Sequence, residues 1–220
     1  MKKILTFVLF ISSFTQAQYT INGRMSSALK SDWVILYKIE NTKQNYVQHS
    51  KIKRDTVSVQ GQKDEIVTFQ FILPENTQPG AYRIAYSSED SNFVDFFYNN
   101  ENILFNFDPE SPNESISFLS SRENILYRKG IALISKEQQK LDAIQNTAVQ
   151  NSSSNLQGEY LKALNGLKRL QKQYLEASKG MYIHDFISAS LKKNPTTIIT
   201  NPQKYQSHLV TSFFDPIDFS

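Results

Sequence analysis

Few residues of this chain have the types and spacing that catalysis or metal binding requires. The three histidines, His49, His184 and His208, are far apart in the sequence, without a paired spacing such as His-x-x-x-His. His184 is followed by Asp185 and could form half of a catalytic pair, but no serine lies in the context of a nucleophile elbow. We therefore expect structural or surface roles for the histidines.

Paired acidic residues are the second candidates, because two carboxyl groups can act as acid and base in glycoside hydrolysis. Glu89-Asp90 and Asp64-Glu65 are such pairs, and both are expected in loops, where solvated acids are common. The seven glycines form no phosphate-binding loop, and the chain has no cysteine. The missing cysteine excludes a disulfide, a thiol redox centre, a thiolate nucleophile and a cysteine-ligated zinc. We predict no catalytic residue, no cofactor and no metal.

Aromatic residues are the remaining candidates for a binding site. Tyr82, Tyr86, Phe96 and Tyr98 are dense enough to form a face that binds a sugar or a peptide, in which case at least two must be exposed together. Their alternation along two expected strands also fits the core of a β-domain, and core packing is the simpler interpretation. Phe96, Phe97 and Tyr98 are consecutive and cannot all face inward, so we expect at least one under the helices or on the surface.

The charges differ between the two halves of the chain. Residues 18–118 carry 9 Lys and Arg against 13 Asp and Glu, whereas residues 119–220 carry 13 against 8. Four of the basic residues lie along the second expected helix: Lys162, Lys168, Arg169 and Lys172. A nucleic-acid interface would need interleaved aromatic residues and a strongly basic domain. We interpret the charges as solvated faces and expect no nucleic-acid partner.

The first 17 residues have the three parts of a secretory signal. Lys2 and Lys3 form the positive start, residues 4–11 the apolar core, and Ala17 the small residue at the cleavage site. The apolar core is shorter than the ~20 residues that span a bilayer, so we expect no membrane span. The sequence predicts an exported, periplasmic protein.

From residue 18 to residue 119, short segments alternate apolar and polar residues between turn signals, which is typical of an antiparallel sandwich or barrel. In the second segment, Trp33, Ile35, Tyr37 and Ile39 share one face. Residues 93–107 hold two apolar runs around an Asn-rich break at 99–102, which predicts a central hairpin on which the helical half packs. The expected strands are 18–25, 33–39, 46–49, 56–59, 67–73, 82–86, 93–98, 103–107 and 115–118, with a loop at 61–64.

The hydrophobic period changes to that of a helix after residue 120. Ser120 and Glu123 have the spacing of a capping box, and apolar residues recur every three or four positions as far as residue 148. A second stripe from residue 156 to 174 includes either Leu170 or Gln171, and Ser154 is a possible cap. The short break between the stripes predicts an antiparallel helix pair. The fold class is therefore α+β: an N-terminal antiparallel β-sandwich (18–119) followed by an antiparallel helical region (120–220).

Two further helices are expected at residues 182–192 and from residue 205. The chain then ends on an apolar, turn-like segment, residues 213–220, although termini are usually polar. This segment either packs on the core or leads into a further domain, and we expect the second.

Several short motifs occur in an order found in a known arrangement: Tyr19-Thr-Ile-Asn-Gly23, residues 33–37, Pro79-Gly-Ala-Tyr-Arg-Ile84, residues 96–103 with Asn100-Glu-Asn-Ile103, and residues 124–127. This order resembles the N-terminal part of exported TlpA-like thiol:disulfide interchange proteins of the thioredoxin family. In that family a β-sandwich of unknown function and a helical connector precede a thioredoxin domain, and residues 213–220 are similar to the segment that leads toward it.

The resemblance implies a periplasmic, non-catalytic accessory or interaction module. The redox residues of that family belong to the thioredoxin domain, so no catalytic residue is carried over to this cysteine-free chain. The implied partner is an unknown envelope protein or a C-terminal thioredoxin-like domain beyond residue 220. Two alternatives stay open: a free-standing glycan- or peptide-binding module that uses an aromatic face of the sheet, and a hydrolase that uses Glu89 or Asp90.

Overall fold

The computed structural model describes residues 18–25, 31–59, 62–86, 93–151 and 155–212. Four features of the sequence lie outside the described residues: the expected signal at 1–17, the pair Glu89-Asp90, the possible cap Ser154 and the terminal segment 213–220. The described residues form nine strands and five helices, and the strands precede all but the shortest helix.

The strands are β1 (Tyr19–Met25), β2 (Trp33–Glu40), β3 (Lys43–Lys51), β4 (Lys53–Val59), β5 (Gln62–Leu73), β6 (Gly80–Ala85), β7 (Phe93–Tyr98), β8 (Ile103–Phe107) and β9 (Ser117–Ser120). The helices are α1 (Pro112–Ser115), α2 (Arg122–Gln150), α3 (Gln157–Ala177), α4 (His184–Ala189) and α5 (Pro202–Ser212). The predicted loop at 61–64 is wrong for Gln62 and the two residues after it, since β5 begins there. The last predicted strand lies two residues later, because Ser115 ends α1.

The strands form two sheets that pack face to face. One has the order β4-β5-β1-β8-β9, and the other has the order β3-β2-β6-β7. Neighbouring strands are antiparallel except for β1 and β8, which run parallel. Side chains from both sheets enter one shared core, among them Ile21, Leu36, Phe71, Ile84 and Phe105. The predicted α+β class, a β-sandwich followed by helices, is confirmed.

The predicted hairpin at residues 93–107 is wrong. β7 pairs with β6 in the four-stranded sheet, whereas β8 pairs with β1 and β9 in the five-stranded sheet. The chain crosses from one sheet to the other through residues 99–102. Asn100 in this segment has a φ of 51°, in the left-handed region that asparagine tolerates. Both strands bury alternate residues toward the same core, so their alternation fits an arch between sheets as well as a hairpin within one.

The strand β2 turns its larger residues outward. Val34 and Leu36 are fully buried in the sandwich, and the face that carries Trp33, Ile35 and Tyr37 is the outer one. Both faces are apolar in the first part of β2, from Trp33 to Tyr37, so its sequence pattern defines the two faces without showing which one is buried.

The helices α2 and α3 form the antiparallel pair that the sequence predicts. Gly130, near the start of α2, lies against Tyr174, near the end of α3, while Leu141 and Tyr160 line one small cavity further along. Their buried residues form a second apolar cluster with α4, which also includes Phe97 of β7. The helical region therefore packs on the sandwich at β7, as the sequence predicts for this segment.

Candidate functional site

The four aromatic residues that the sequence suggests for a binding surface lie inside the sandwich. Tyr82, Tyr86, Phe96 and Tyr98 are each at most 3 % exposed. Tyr82 Oη donates to Gln78 O at 2.6 Å, and Tyr86 Oη donates to Pro109 O at 3.0 Å. Burial raises the pKa of all three tyrosines to about 12. These four residues occupy the inward face of β6, β7 and the residue that follows β6, which is the core packing that their alternation favours. The condition for a binding face, that at least two of them are exposed together, is not met.

Phe97 is the residue of the 96–98 run that leaves the sandwich core. Its ring centroid lies 4.9 Å from that of Tyr127 in α2 and 4.9 Å from that of Phe186 in α4, with Tyr182 at 6.0 Å. The prediction that one of these three aromatics packs under the helices is confirmed.

An aromatic surface does exist, on the outer face of the four-stranded sheet. Trp33 and Tyr37 of β2, Tyr46 of β3 and Phe93 of β7 share this face, as the strand register shows. Trp33 is 46 % exposed and Tyr46 is 60 % exposed, while Tyr37 and Phe93 are half-buried. The rings of Tyr37 and Tyr46 meet edge to face with centroids 6.5 Å apart. We name these four residues the aromatic sheet face.

Polar groups lie among these rings. Arg83 donates two hydrogen bonds of 2.7 Å to the carboxylate of Asp95, and its guanidinium carbon lies 3.5 Å from the centre of the Phe93 ring. The carboxylate of Asp95 raises the pKa of Arg83 further above its usual value. The Tyr46 hydroxyl and His49 Nδ1 are 2.9 Å apart. Flat rings beside a fixed ion pair are the groups that bind the apolar faces and hydroxyls of a sugar or the side chains of a peptide.

The sequence places two of these aromatic residues on one face of β2, but it does not show that this face is the outer one. Trp33 and Tyr37 stand on the same face of β2, opposite the smaller aliphatic Val34 and Leu36. Residue type does not identify the outer face, because aromatic residues such as Tyr82, Phe96 and Tyr98 also fill the core of this sandwich. Tyr46 could not be found this way, because a bulge between Leu36 and Tyr37 shifts the register of β3.

A second group of polar residues joins the sandwich to the helices. Asn124 Oδ1 accepts from Phe97 N at 2.8 Å, and Asn124 Nδ2 donates to Phe97 O at 2.7 Å. The buried carboxylate of Glu123 accepts from Asn99 Nδ2 at 2.6 Å and from the backbone N–H groups of Tyr182 and Ile183 at 3.0 Å each. These bonds link β7, the crossing segment, α2 and the start of α4.

The predicted capping box is wrong in both of its members. The N-cap of α2 is Ser121, whose Oγ accepts from Asn124 N at 3.1 Å, and not Ser120. The acid that completes the cap is Glu101, which accepts from Ser121 Oγ at 2.6 Å and from Arg122 N at 2.8 Å. The carboxylate of Glu123 instead accepts from the backbone N–H groups of Tyr182 and Ile183, just before α4.

The three histidines lie on three different elements. His49 lies on the outer sheet face, His184 Nδ1 is 3.0 Å from Ser178 Oγ, and His208 is on α5. Glu65 lies in β5 and not in a loop, 3.6 Å from Arg54. Within the described ranges, no three His, Asp or Glu side chains lie close enough to hold a metal ion.

None of the helices in the described part of the chain is both long and apolar enough to cross a membrane. Comparison of the chain with protein-family models, with curated proteins and with solved structures gives no match.

Proposed function

We propose that this chain is a non-catalytic accessory and interaction module of an exported thioredoxin-family protein, and that the aromatic sheet face is its contact surface. The observation that supports this proposal is the exposure of Trp33 and Tyr46 on one side of a sheet whose other side is packed in the core. Trp and Tyr are enriched where proteins bind partners, since each presents a large rigid surface with a polar group at its edge.

The buried polar side chains hold segments of the chain together, which supports a non-catalytic role. Glu123 accepts three hydrogen bonds that connect three segments of the chain. Gln145 of α2 donates to Ile199 O and accepts from Ile199 N, which fixes the segment before α5. Carboxylate and amide groups with such partners hold the helices in place, and a substrate would have to break these bonds to reach them.

One end of the outer sheet face is covered by the helices and the other end is exposed, which favours binding of a partner at the exposed end. Tyr127, Tyr182 and Phe186 cover the end at Phe97. The end with Trp33 and Tyr46 is exposed. A partner would therefore bind at β2 and β3, beside the helices and without displacing them.

Site-specific photo-crosslinking tests this proposal. The photoreactive residue p-benzoylphenylalanine replaces Tyr46 in one variant and Ile72 in the control, because Ile72 is 49 % exposed on the five-stranded sheet. Each purified variant is irradiated in a bacterial envelope extract, and the adducts are identified by mass spectrometry. We expect a thioredoxin-family protein to crosslink from position 46 and not from position 72. Equal crosslinking from both positions, or adducts without a thioredoxin-family protein, would contradict the proposal.

Glycan or peptide binding by the same surface is a second candidate, favoured by the Arg83–Asp95 pair beside the rings. Trp33 is the only tryptophan of the chain, so its fluorescence reports on a ligand at this surface alone. Titration with neutral oligosaccharides and with short peptides is expected to change the Trp33 emission in a saturable way, and Tyr46→Ala to abolish the change. Ile72→Ala is the control on the opposite sheet and should bind normally. An emission that stays constant in both titrations would exclude this candidate.

A further inference from the structure

A groove of about 520 Å³ lies in the helical region, between α3, the end of α4 and the segment that follows α4. Its polar lining consists of Lys168, Gln171, Ser188, Lys192, Lys193 and Asn194, and two leucines, Leu164 and Leu191, form its apolar part. This volume is in the range of small-molecule sites, which are about 300–1,000 Å³. The groove shares no residue with the aromatic sheet face, so it is a separate candidate.

The lining of the groove is positively charged. Three of its residues are lysines and none is acidic. Lys192 Nζ lies 3.2 Å from Asp142 Oδ1, and Asp142 is outside the lining. Lys168 is exposed on α3 and has no ion pair with an acidic side chain of the described residues. An anion in the groove would therefore meet a lining that carries lysine ammonium groups and no acidic side chain of its own.

Gln171 is the unusual member of the lining. Its Nε2 is buried and has no acceptor among the described residues. Other amides nearby are fully paired: Gln138 and Asn194 exchange two hydrogen bonds of 2.8 Å, and Gln145 binds both backbone groups of Ile199. A buried donor without an acceptor is costly, and the terminal torsion of a glutamine is soft enough for the amide to turn toward an oxygen in the groove.

We propose that this groove binds a small organic anion through its carboxylate or phosphate oxygens. The oxygens accept from Lys168 Nζ and Gln171 Nε2, and Lys192 adds charge at the side of the groove. Leu164 and Leu191 contact the carbon part of the ligand. An anionic ligand of this size gives the Gln171 amide an acceptor and neutralises the lysines of the lining, whereas a neutral or cationic ligand does not do both.

Isothermal titration calorimetry at low ionic strength tests the site, with citrate as the carboxylate probe and inorganic phosphate as the phosphate probe. We expect saturable binding of at least one of them, and the tighter one identifies the acceptor chemistry. Lys168→Met and Gln171→Leu should each weaken binding about 10-fold or more, because each removes a hydrogen bond to a charged group. Lys172→Met is the matched control: it removes the same charge from an exposed position of α3 that does not line the groove, and affinity should change less than about 2-fold.

Two results would overturn the proposal. The first is the absence of saturable binding of both anions at millimolar concentration. The second is an equal loss of affinity in Lys168→Met and Lys172→Met, which would indicate diffuse attraction to a basic helix. Because Lys168 is exposed, its replacement leaves the core intact, and circular dichroism verifies that each variant is folded. Gln171→Glu gives an independent measurement, since a carboxylate in the lining should abolish anion binding in a folded protein.

Discussion

Asn124 pairs with Phe97 as a neighbouring strand would. Its Oδ1 accepts the Phe97 N–H at 2.8 Å, and its Nδ2 donates to the Phe97 carbonyl at 2.7 Å. β7 is an edge strand of the four-stranded sheet, and an edge strand presents unpaired backbone groups that can pair with another chain. The side chain of Asn124 closes this edge at one residue and fixes the start of α2 against the sheet. The Phe97 ring then packs on Tyr127, so one residue of β7 is held through its backbone and its side chain.

Replacing Asn124 should therefore destabilise the junction strongly. Asn124→Ala leaves both backbone groups of Phe97 without their partners, and we expect the free energy of unfolding to fall by about 2–4 kcal/mol. Urea denaturation followed by circular dichroism measures it. Asn146→Ala, at an exposed position of the same helix, is the control and should change stability by less than about 0.5 kcal/mol. Similar stabilities of the two variants would mean that the pairing contributes little.

The position of the α2 cap gives a second prediction. Ser121 Oγ accepts from Asn124 N, whereas the exposed Ser120 Oγ donates to Asn102 O at 3.3 Å. Ser121→Ala should lower the free energy of unfolding by about 1 kcal/mol, and Ser120→Ala should lower it by a few tenths. Denaturation of the two variants side by side tests this. If Ser120→Ala lowers the free energy of unfolding more than Ser121→Ala does, Ser120 is the N-cap, as the sequence spacing predicts.

Glu101 contributes to the same cap from the crossing segment. Its carboxylate accepts from Ser121 Oγ, Arg122 N and Glu123 N, at the end of the helix where backbone dipoles favour a negative charge. Glu101→Gln keeps an acceptor and removes the charge, so we expect a loss of about 0.5–1 kcal/mol that shrinks in high salt. Thermal unfolding at low and high salt measures it, with Glu114→Gln on an exposed site of α1 as the control. A loss that does not depend on salt would argue against a charge effect.

Much of the fold follows from local sequence patterns. Val67, Phe69 and Phe71 alternate with polar residues and are buried as that alternation predicts. The change of period at residue 120 locates the boundary between β9 and α2 to within two residues. These predictions succeed because each depends on neighbours in the sequence, where one face is apolar and the other polar.

The parts that sequence patterns missed depend on distant partners. Tyr46 joins Tyr37 only through the register of β3 with β2, which a bulge shifts. Glu101 caps a helix that begins about 20 residues later, so no spacing rule within one turn reveals it. Sequence periodicity leaves open whether Leu170 or Gln171 belongs to the apolar stripe of α3. The unpartnered amide of Gln171 is visible only when α3 is packed against the segment after α4. Residues of the candidate sites are of this second kind.

Two glycines in the helical pair should respond oppositely to alanine. A Cβ on Gly130 would lie 2.6 Å from Tyr174 Cδ1, whereas a Cβ on Gly166 meets nothing within 4 Å. Gly130→Ala forces the buried Tyr174 ring to move and should lower the free energy of unfolding by about 1–2 kcal/mol. Gly166→Ala removes a flexible residue from the interior of α3 and should raise it by up to about 1 kcal/mol. Thermal unfolding of the two variants measures both effects, and stabilisation by Gly130→Ala would contradict the close packing of α2 on α3.

The buried tyrosines predict a loss of stability at high pH. Burial raises the pKa of Tyr82, Tyr86, Tyr98 and Tyr160 from 10.0 to about 12, because the phenolate is poorly solvated in the core. The unfolded chain releases these protons near pH 10 and the folded chain near pH 12. Their contribution to stability is therefore complete below about pH 10 and is lost as the pH rises toward 12. Each should add a slope of up to about 1.4 kcal/mol per pH unit within this window.

Urea denaturation between pH 8 and pH 12, together with tyrosinate absorbance, measures this loss in the window that the pKa values of 10.0 and about 12 define. Tyr86→Phe is the informative variant, since it removes one raised pKa and the hydrogen bond to Pro109 O. At neutral pH it should be less stable by about 1 kcal/mol, because the Pro109 carbonyl loses its donor. Above pH 10 its stability should fall less steeply than that of the parent chain, so the two curves converge. Parallel curves would mean that Tyr86 ionises equally well in the folded and unfolded states, which its burial forbids.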